Sequence, residues 1–445
     1  MPGFASPPPV APSSRRLRRT TPTSSPSSGT RSRWQPPTAA GSALPGPRRC
    51  SRLSHEQQQG DLLMSDQQVE PKDFDFHGPS LDNIFDTYDD LRAQCPVGRS
   101  DKHGGFWYMM KSEDIFAAEQ DPETFAVAPS MLLPAFGTDV PLIPIDIDPP
   151  EHTDYRRILL PLFTPKAIAK LDDGMHQTSR ELAEEVAKLD VADASAMFAR
   201  PMPTIIFSRL AGFPEEDWPK FDQWIDDIIY ERTVDPPERA YAAGDAVMAY
   251  FDELLKSREG QPPQDDLIEI LTNAEIKGRK LNHDELLSYC YLLFLAGLDT
   301  TAWAIRSSLW HLAQDKEAQK RLREDPDLIP DAVEEFLRTL SPVQAMARTC
   351  MKDTVVSGQE IKEGERVVLV FGAGNRDPPE TYDEPNEIQL DRENNRHLAF
   401  GGGIHRCLGS NLGRQEVVVA LEEFLDVVDD FSLAEPDQVW HGVGP

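Results

Sequence analysis

No apolar run in this 445-residue sequence approaches the roughly 18–20 residues that span a bilayer. The best candidate, Tyr289 to Leu298, runs directly into polar Asp299, Thr300 and Thr301. No membrane is therefore expected as a partner. Cysteine is scarce: Cys50, Cys95, Cys290, Cys350 and Cys407 are scattered, with no CxxC pair. That spacing argues against a disulfide framework and a cysteine-rich zinc site, and it suits a reducing cytoplasm. Basic charge is also short, with 45 Lys and Arg against 75 Asp and Glu, a formal net charge of −30. Nine arginines against a single acid, Glu56, give residues 1–60 a charge of +8, leaving −38 for the rest. So acidic a body disfavours nucleic acid or an anionic membrane as partner. No flavin or nicotinamide fingerprint and no internal repeat is visible.

What the sequence does contain divides at about residue 63. Residues 1–63 are rich in Pro, Ser, Thr and Arg, as in SSRRLRRTTPTSSPSSGTRSR, and cannot bury enough apolar surface to offset their ordering entropy. Three readings stay open: a disordered tail, an organelle transit segment, or upstream sequence before a true start at Met64. Residues 64–445 are then the catalytic domain. Asn282 followed by Glu285 marks a helix start, and the apolar stretch from His283 to Gln314 holds no proline. Thirty-two helical residues span roughly 48 Å, enough to cross a whole domain. A second helix is expected from near Pro330 to Leu340, and a last one beginning beside Cys407. Strand-like pieces fall at Thr354–Val356 and, after a Gly364 turn, at Arg366–Phe371. The fold class is mainly α with a small β region.

Cys407 needs more than a packing role. It follows Gly401, Gly402 and Gly403 in HLAFGGGIHRCLGSNLGRQE, which permits positive φ and close approach to a flat group. At a helix N-terminus, with His405 and Arg406 nearby, its thiol is expected to have a depressed pKa. Three glycines and a cysteine alone could equally be a turn before a surface helix. The full spacing Phe400-x-x-Gly403-x-His405-x-Cys407-x-Gly409 resembles the cysteine-ligand loop of the cytochrome P-450 family, with His405 where many members carry Arg. The resemblance is to the soluble bacterial class, similar to terpene-hydroxylating members. It implies the cytochrome P-450 fold, in which a long central helix lies over haem b and Cys407 is the axial thiolate.

The remaining pieces occur in the family's order. Ala296-Gly297-Leu298-Asp299-Thr300-Thr301 resembles the oxygen-activation motif, Gly297 leaving room for dioxygen, Thr300 offering a hydroxyl and Asp299 relaying protons from solvent. Glu335 and Arg338, at i,i+3, resemble the family's Glu-x-x-Arg pair, with Arg392 completing a structural lock. By the same resemblance His152, Arg156, Arg348 and His405 hold the haem propionates, and Phe400 and Gly409 flank the cofactor. Met131, Leu132, Phe136, Phe294, Leu295, Leu298, Val343 and Met346 are expected to line an apolar substrate pocket.

The implied reaction inserts one atom of dioxygen into a small hydrophobic substrate. Electrons are expected from a ferredoxin with its reductase, docking at Arg157, Arg396, Arg406 and Arg414 on a monomer. Two rivals stay open. One is a peroxygenase or haem-thiolate isomerase of the same fold, whose members tend to lack the Asp299–Thr300 type of pair. The other is a non-catalytic haem sensor, whose only room for a signalling module is the tail. The chain stops at QVWHGVGP, where soluble members continue through one more β-hairpin, so a missing last hairpin is expected.

Overall fold

The computed structural model describes residues 69–77, 84–134, 136–233, 236–378 and 381–434. The tail before Met64 and the QVWHGVGP end lie outside the described residues. Helices dominate. The principal ones are α1 (Ile84–Gln94), α2 (Ser112–Gln120), α3 (Glu151–Leu159), α4 (Asp172–Ala187), α5 (Pro201–Ala211), α6 (Trp218–Glu231), α7 (Glu238–Arg258), α8 (His283–Gln314), α9 (Ile329–Leu340) and α10 (Ser410–Val427).

The central helix α8 has the expected bounds. The Asn282 side chain accepts from the Glu285 N–H at 2.9 Å, and the Glu285 carboxylate accepts from the Asn282 N–H at 2.7 Å. Reciprocal capping of this kind satisfies two donors that a helix end otherwise leaves open. Helices α5, α7, α9 and α10 all pack on α8. Its apolar residues point almost all round because it is surrounded. By length and hydropathy α8 could cross a membrane, but 67% of its most apolar window is buried inside the fold. That surface is core.

The main sheet has five strands: β1 (Val97–Ser100), β2 (Phe106–Met109), β3 (Phe125–Ala126), β4 (Met346–Cys350) and β5 (Arg366–Leu369). Their spatial order is β1-β2-β5-β4-β3, antiparallel except for the β2–β5 pair. Alternate side chains feed two separate clusters. Tyr108 and Val368 pack on one face, Met109, Val367 and Leu369 on the other, as strand geometry requires. Thr354–Val356 pairs with Gln359–Ile361 through the Ser357-Gly358 turn, where both residues have positive φ. The expected strand over Arg366–Phe371 is shorter. It ends at Leu369, and Phe371–Gly374 coils into a helical turn that is equally buried. The apolar run reflects burial there, not strand.

The Glu335–Arg338–Arg392 lock is fully formed. Glu335 and Arg338 are both 0% exposed and meet through two 2.8 Å hydrogen bonds. Arg392 Nε lies 3.0 Å from Glu335 Oε1, and the Gln389 N–H donates to the same oxygen at 2.9 Å. Arg338 also donates to the carbonyls of Asn375, Pro385 and Glu387. Removing one partner of such a buried pair strands the other's charge, which costs about 3–5 kcal/mol. Glu335→Ala should therefore lower unfolding stability by about that amount in a denaturant titration. Lys188→Ala, which breaks an exposed pair with Glu185, should leave the midpoint almost unchanged.

Candidate active site

The segment ahead of Cys407 is folded by contacts on both flanks. Gly401 and Gly403 adopt φ of 61° and 57°, a region that favours glycine. A Cβ on Gly403 would stand 1.9 Å from the Glu119 carbonyl oxygen, and one on Gly402 2.7 Å from Glu119 Oε2. Among the described residues the triplet thus closely approaches the end of α2. The Cys407 N–H donates to the Phe400 carbonyl at 2.8 Å. Leu398 N–H donates to Asn375 Oδ1 at 2.6 Å. Arg414 on α10 grips Glu334 of α9 at 2.5 and 3.0 Å and lies 4.3 Å over the Phe400 ring.

Helix α10 starts at Ser410 with Gly409 as N-cap, three residues later than expected. Cys407 therefore precedes the helix. The Gly409 N–H still reaches its sulfur, and Arg156, Arg414 and Arg406 add positive potential, but burial outweighs them and pushes the thiol up. The expected depressed pKa is corrected accordingly. The side chain nevertheless reaches open space, so the thiol sits in a recess walled by protein. A thiol so placed loses its proton outright to a coordinating metal ion.

Cationic groups converge beside this recess. The rings of His152 and His405 lie 4.2 Å apart, and the Nε2 atom of each is buried without a hydrogen-bond partner. Burial first, then neighbouring positive charge, holds His152 at about 4 and His405 at about 2. Both imidazoles are uncharged at neutral pH, so His405 adds no positive charge of its own, contrary to expectation. Arg348, on β4 and 3% exposed, is pulled down to about 10 by burial; its nearest carboxylate oxygen, on Glu119, is 3.7 Å away. Arg156 donates to the Arg406 carbonyl and so ties α3 to the cysteine loop. Two unmatched imidazole nitrogens beside a weakly paired buried guanidinium fit a group with two carboxylates, as haem b has.

The middle of α8, from Ser288 to Leu295, is buried, and the helix opens at its next turn. Ala296 is exposed and Thr300 half-buried, and i,i+4 spacing puts them on the same side. Thr300 Oγ1 donates to the Ala296 carbonyl at 2.9 Å, leaving its lone pairs to the open side. A Cβ on Gly297 would collide with Phe207 of α5 at 2.6 Å, so this glycine serves helix packing and not space for dioxygen. Asp299 does not reach solvent: it is 4% exposed and its Oδ2 has no partner. Burial raises its pKa, with Arg306 and Arg200 opposing and Asp226 and Asp222 reinforcing.

The expected pocket residues separate. Leu132 and Phe136 line a cavity of about 360 Å³ with Leu133, Pro141 and Leu142. Phe294 packs on Phe221 and Phe251, with ring centroids at 5.7 and 6.0 Å, on the side of α8 opposite Ala296. Leu298 shares that side and is buried, so Phe294 and Leu298 are core and not pocket. Val343 and Met346 pack beside the sheet, half-buried, and Met131 is buried, its carbonyl held by the Ala347 N–H at 2.8 Å. Leu295 is buried in the helical core. Of the expected basic patch, Arg157, Arg396 and Arg406 are exposed, whereas Arg414 is committed to Glu334.

Among the buried ionisable groups that escaped the sequence reading, three bear on the site. Glu119 faces the triple glycine and Arg348. Glu416, four residues after Leu412 on the inner face of α10, hydrogen-bonds Thr301 of α8, and burial pushes its carboxyl well up. Its signal was an acid at a position that helical spacing assigns to the core. Arg232 caps α6 almost wholly buried, with no signal beyond its place at the helix end.

Glu334 also accepts from His397 at 3.1 Å. Burial alone would raise its carboxyl, yet the bonds from His397 and Arg414 win and hold it at about 2, against an ordinary value of 4.5. The stability this supplies is complete above pH 4.5 and lost as pH falls towards 2. Glu334→Gln should therefore unfold more easily than the unsubstituted protein near neutrality, by roughly 2 kcal/mol, with the gap closing across that acid window in denaturant titrations.

Comparison with known proteins agrees with this geometry. The family model described as Cytochrome P-450 matches residues 144–438. The chain is 32% identical over 351 residues to cytochrome P-450 109 of Bacillus spizizenii, covering 77% of this chain and 84% of that one. Its fold is similar to CYP109E1 from Bacillus megaterium in complex with testosterone, with TM-score 0.71, 30% identity and coverage of 77% and 90%. It is likewise similar to Mycobacterium marinum CYP268A2 in complex with pseudoionone, with TM-score 0.72, 27% identity and coverage of 78% and 89%. A cysteine loop pinned between α2 and α9, a paired-carboxylate cradle beside it and these matches together make the chain a member of the cytochrome P-450 monooxygenase family, with haem b as its cofactor.

Proposed function

We propose that this monooxygenase hydroxylates a small hydrophobic, terpene-like molecule, using dioxygen and electrons from a ferredoxin and its reductase. The observation that carries the reading is the recess beside Cys407, where His152 and His405 each keep a buried Nε2 atom without a partner among the described residues and Arg348 is only weakly paired with Glu119. In it, Cys407 would ligate the haem iron as a thiolate, and His152, His405 and Arg348 would hold the two propionates. Arg156, through the Arg406 carbonyl, and Phe400, through the Cys407 N–H, keep the sulfur in place. When bound, haem b supplies the reduction of dioxygen by two electrons and two protons, with one oxygen atom leaving as water.

The protein's own contribution is proton handling and exclusion of water. Thr300 commits its hydroxyl proton to Ala296 and offers lone pairs that can orient a proton donor in the recess. Asp299, shielded from solvent and raised in pKa, holds a proton more readily than a surface aspartate and passes it inward. Leu132 and Phe136 supply apolar wall, consistent with relatives that bind testosterone and pseudoionone. Arg157, Arg396 and Arg406 offer an acidic ferredoxin a basic landing area on an otherwise acidic body. Residues 64–445 then form the catalytic domain of a cytoplasmic monomer, and residues 1–63 take no part in the reaction.

Cys407→Ala should abolish the red-shifted Soret band of the reduced carbon-monoxide complex, and an unchanged spectrum would remove Cys407 as ligand. A reconstituted assay that counts product, hydrogen peroxide and oxidised reductant together tests the distal pair. Thr300→Ala should keep haem and substrate binding but release mostly hydrogen peroxide. Asp299→Asn should slow turnover by roughly a hundredfold while coupling falls less. Peroxide-driven activity equal in both variants would favour a peroxygenase.

A further inference from the structure

Arg232 stands out among the buried charges because no carboxylate pairs with it among the described residues. It follows α6, is 5% exposed, and its Nε and Nη1 atoms have no hydrogen-bond partner among the described residues. Its Nη2 lies 3.3 Å from His77 Nδ1, and its Cζ sits 3.9 Å over the Phe136 ring. His77 cannot balance the charge. Its Nε2 pairs with the Leu133 carbonyl at 2.9 Å, and burial together with Arg232 holds its ring well below the usual range, hence neutral. Burial lowers Arg232 itself only to about 9, with Tyr230 and Asp299 opposing, so it remains a cation at neutral pH.

A buried cation with open donors is costly unless a partner arrives. The surroundings say where that partner comes from. The cation–π contact holds the guanidinium against Phe136, which with Leu132 and Leu133 forms the apolar part of a cavity that Asp139, Asp146 and Arg366 also line. The influence of Asp299 places Arg232 on the same side of the fold as the proposed proton path. One polar head at Arg232 and an apolar body along Phe136 describe an amphipathic molecule.

We propose that Arg232 is the recognition point for a carboxylate on an otherwise apolar substrate, which orients the chain of that substrate along the Phe136 wall. This rests on the reading of the site given above and narrows its substrate class from hydrophobic to hydrophobic acid. A carboxylate meets the open N–H groups with charge-assisted hydrogen bonds that a hydrocarbon or an ester cannot match.

The test uses the haem-loaded protein and two probes of equal length, dodecanoate and methyl dodecanoate, in calorimetric titrations near neutral pH. Dodecanoate should bind roughly tenfold or more tightly than the ester. Arg232→Met should erase that ratio while leaving the ester affinity unchanged, and Arg232→Lys should keep part of it. Haem content and the thiolate carbon-monoxide band identify a misfolded variant and separately expose any failure of the underlying haem-thiolate reading. Equal affinity for acid and ester in the unsubstituted protein overturns the proposal. So does an acid preference that survives Arg232→Met, which would assign recognition to another group. If Asp299→Asn alone erases the ratio while Arg232→Met does not, Arg232 serves Asp299 and the proposal also falls.

Discussion

The position of Cys407 depends on two successive carboxylates of α9. Glu335 turns inward and binds Arg338, Arg392, Asn395 and the Gln389 N–H, which fixes the long loop leading to the cysteine. Glu334, about 100° round the same helix, binds His397 before the cysteine and Arg414 after it. One helical turn thus holds the loop from both sides. Glu335 is buried and Glu334 half-buried, and several donors meet each, the condition under which a buried charge becomes a fixed point instead of a liability.

The scaffold and the site differ in how completely their polar groups are matched. Around Glu335 the donors and acceptors are paired many times over. Near Cys407 and along α8, buried atoms of His152, His405, Asp299 and Glu119 lack partners. Buried polar groups are normally satisfied, so the adjacent unmatched nitrogens of His152 and His405 mark where outside chemistry enters. The same contrast separates Arg338, held by Glu335 and three carbonyls, from Arg232, which keeps two open donors.

Patterns fixed by local rules were legible in the sequence. The central helix could be bounded at both ends because a capping box opens it and a proline-free apolar run fills it. The Glu335–Arg338 pair could be suggested by i,i+3 spacing, whereas Arg392 was added by the resemblance to the family. Side-chain surroundings were less legible. A glycine triplet does not reveal that it leaves room for Glu119, nor Gly297 that it leaves room for Phe207. Phe294 and Leu298 read as pocket because they are apolar and near Thr300, yet the angle between successive helical residues turns them to the other side. Arg414 read as free charge because its partner, Glu334, is 80 residues away. The state of Cys407 depends on burial, which no motif encodes.

The contact between Glu416 and Thr301 joins the helix that follows the cysteine to the helix that covers the opposite side of the recess. Burial pushes the Glu416 carboxyl well up, and its partner Thr301 carries no charge, so this bridge is a hydrogen bond and not an ion pair. Dissolved salt, which weakens exposed ion pairs such as Arg180–Asp426 within a Debye length of about 8–10 Å, has no ion pair here to screen. The two walls of the recess therefore keep their spacing across ionic strengths that loosen the outer surface of an intensely acidic protein.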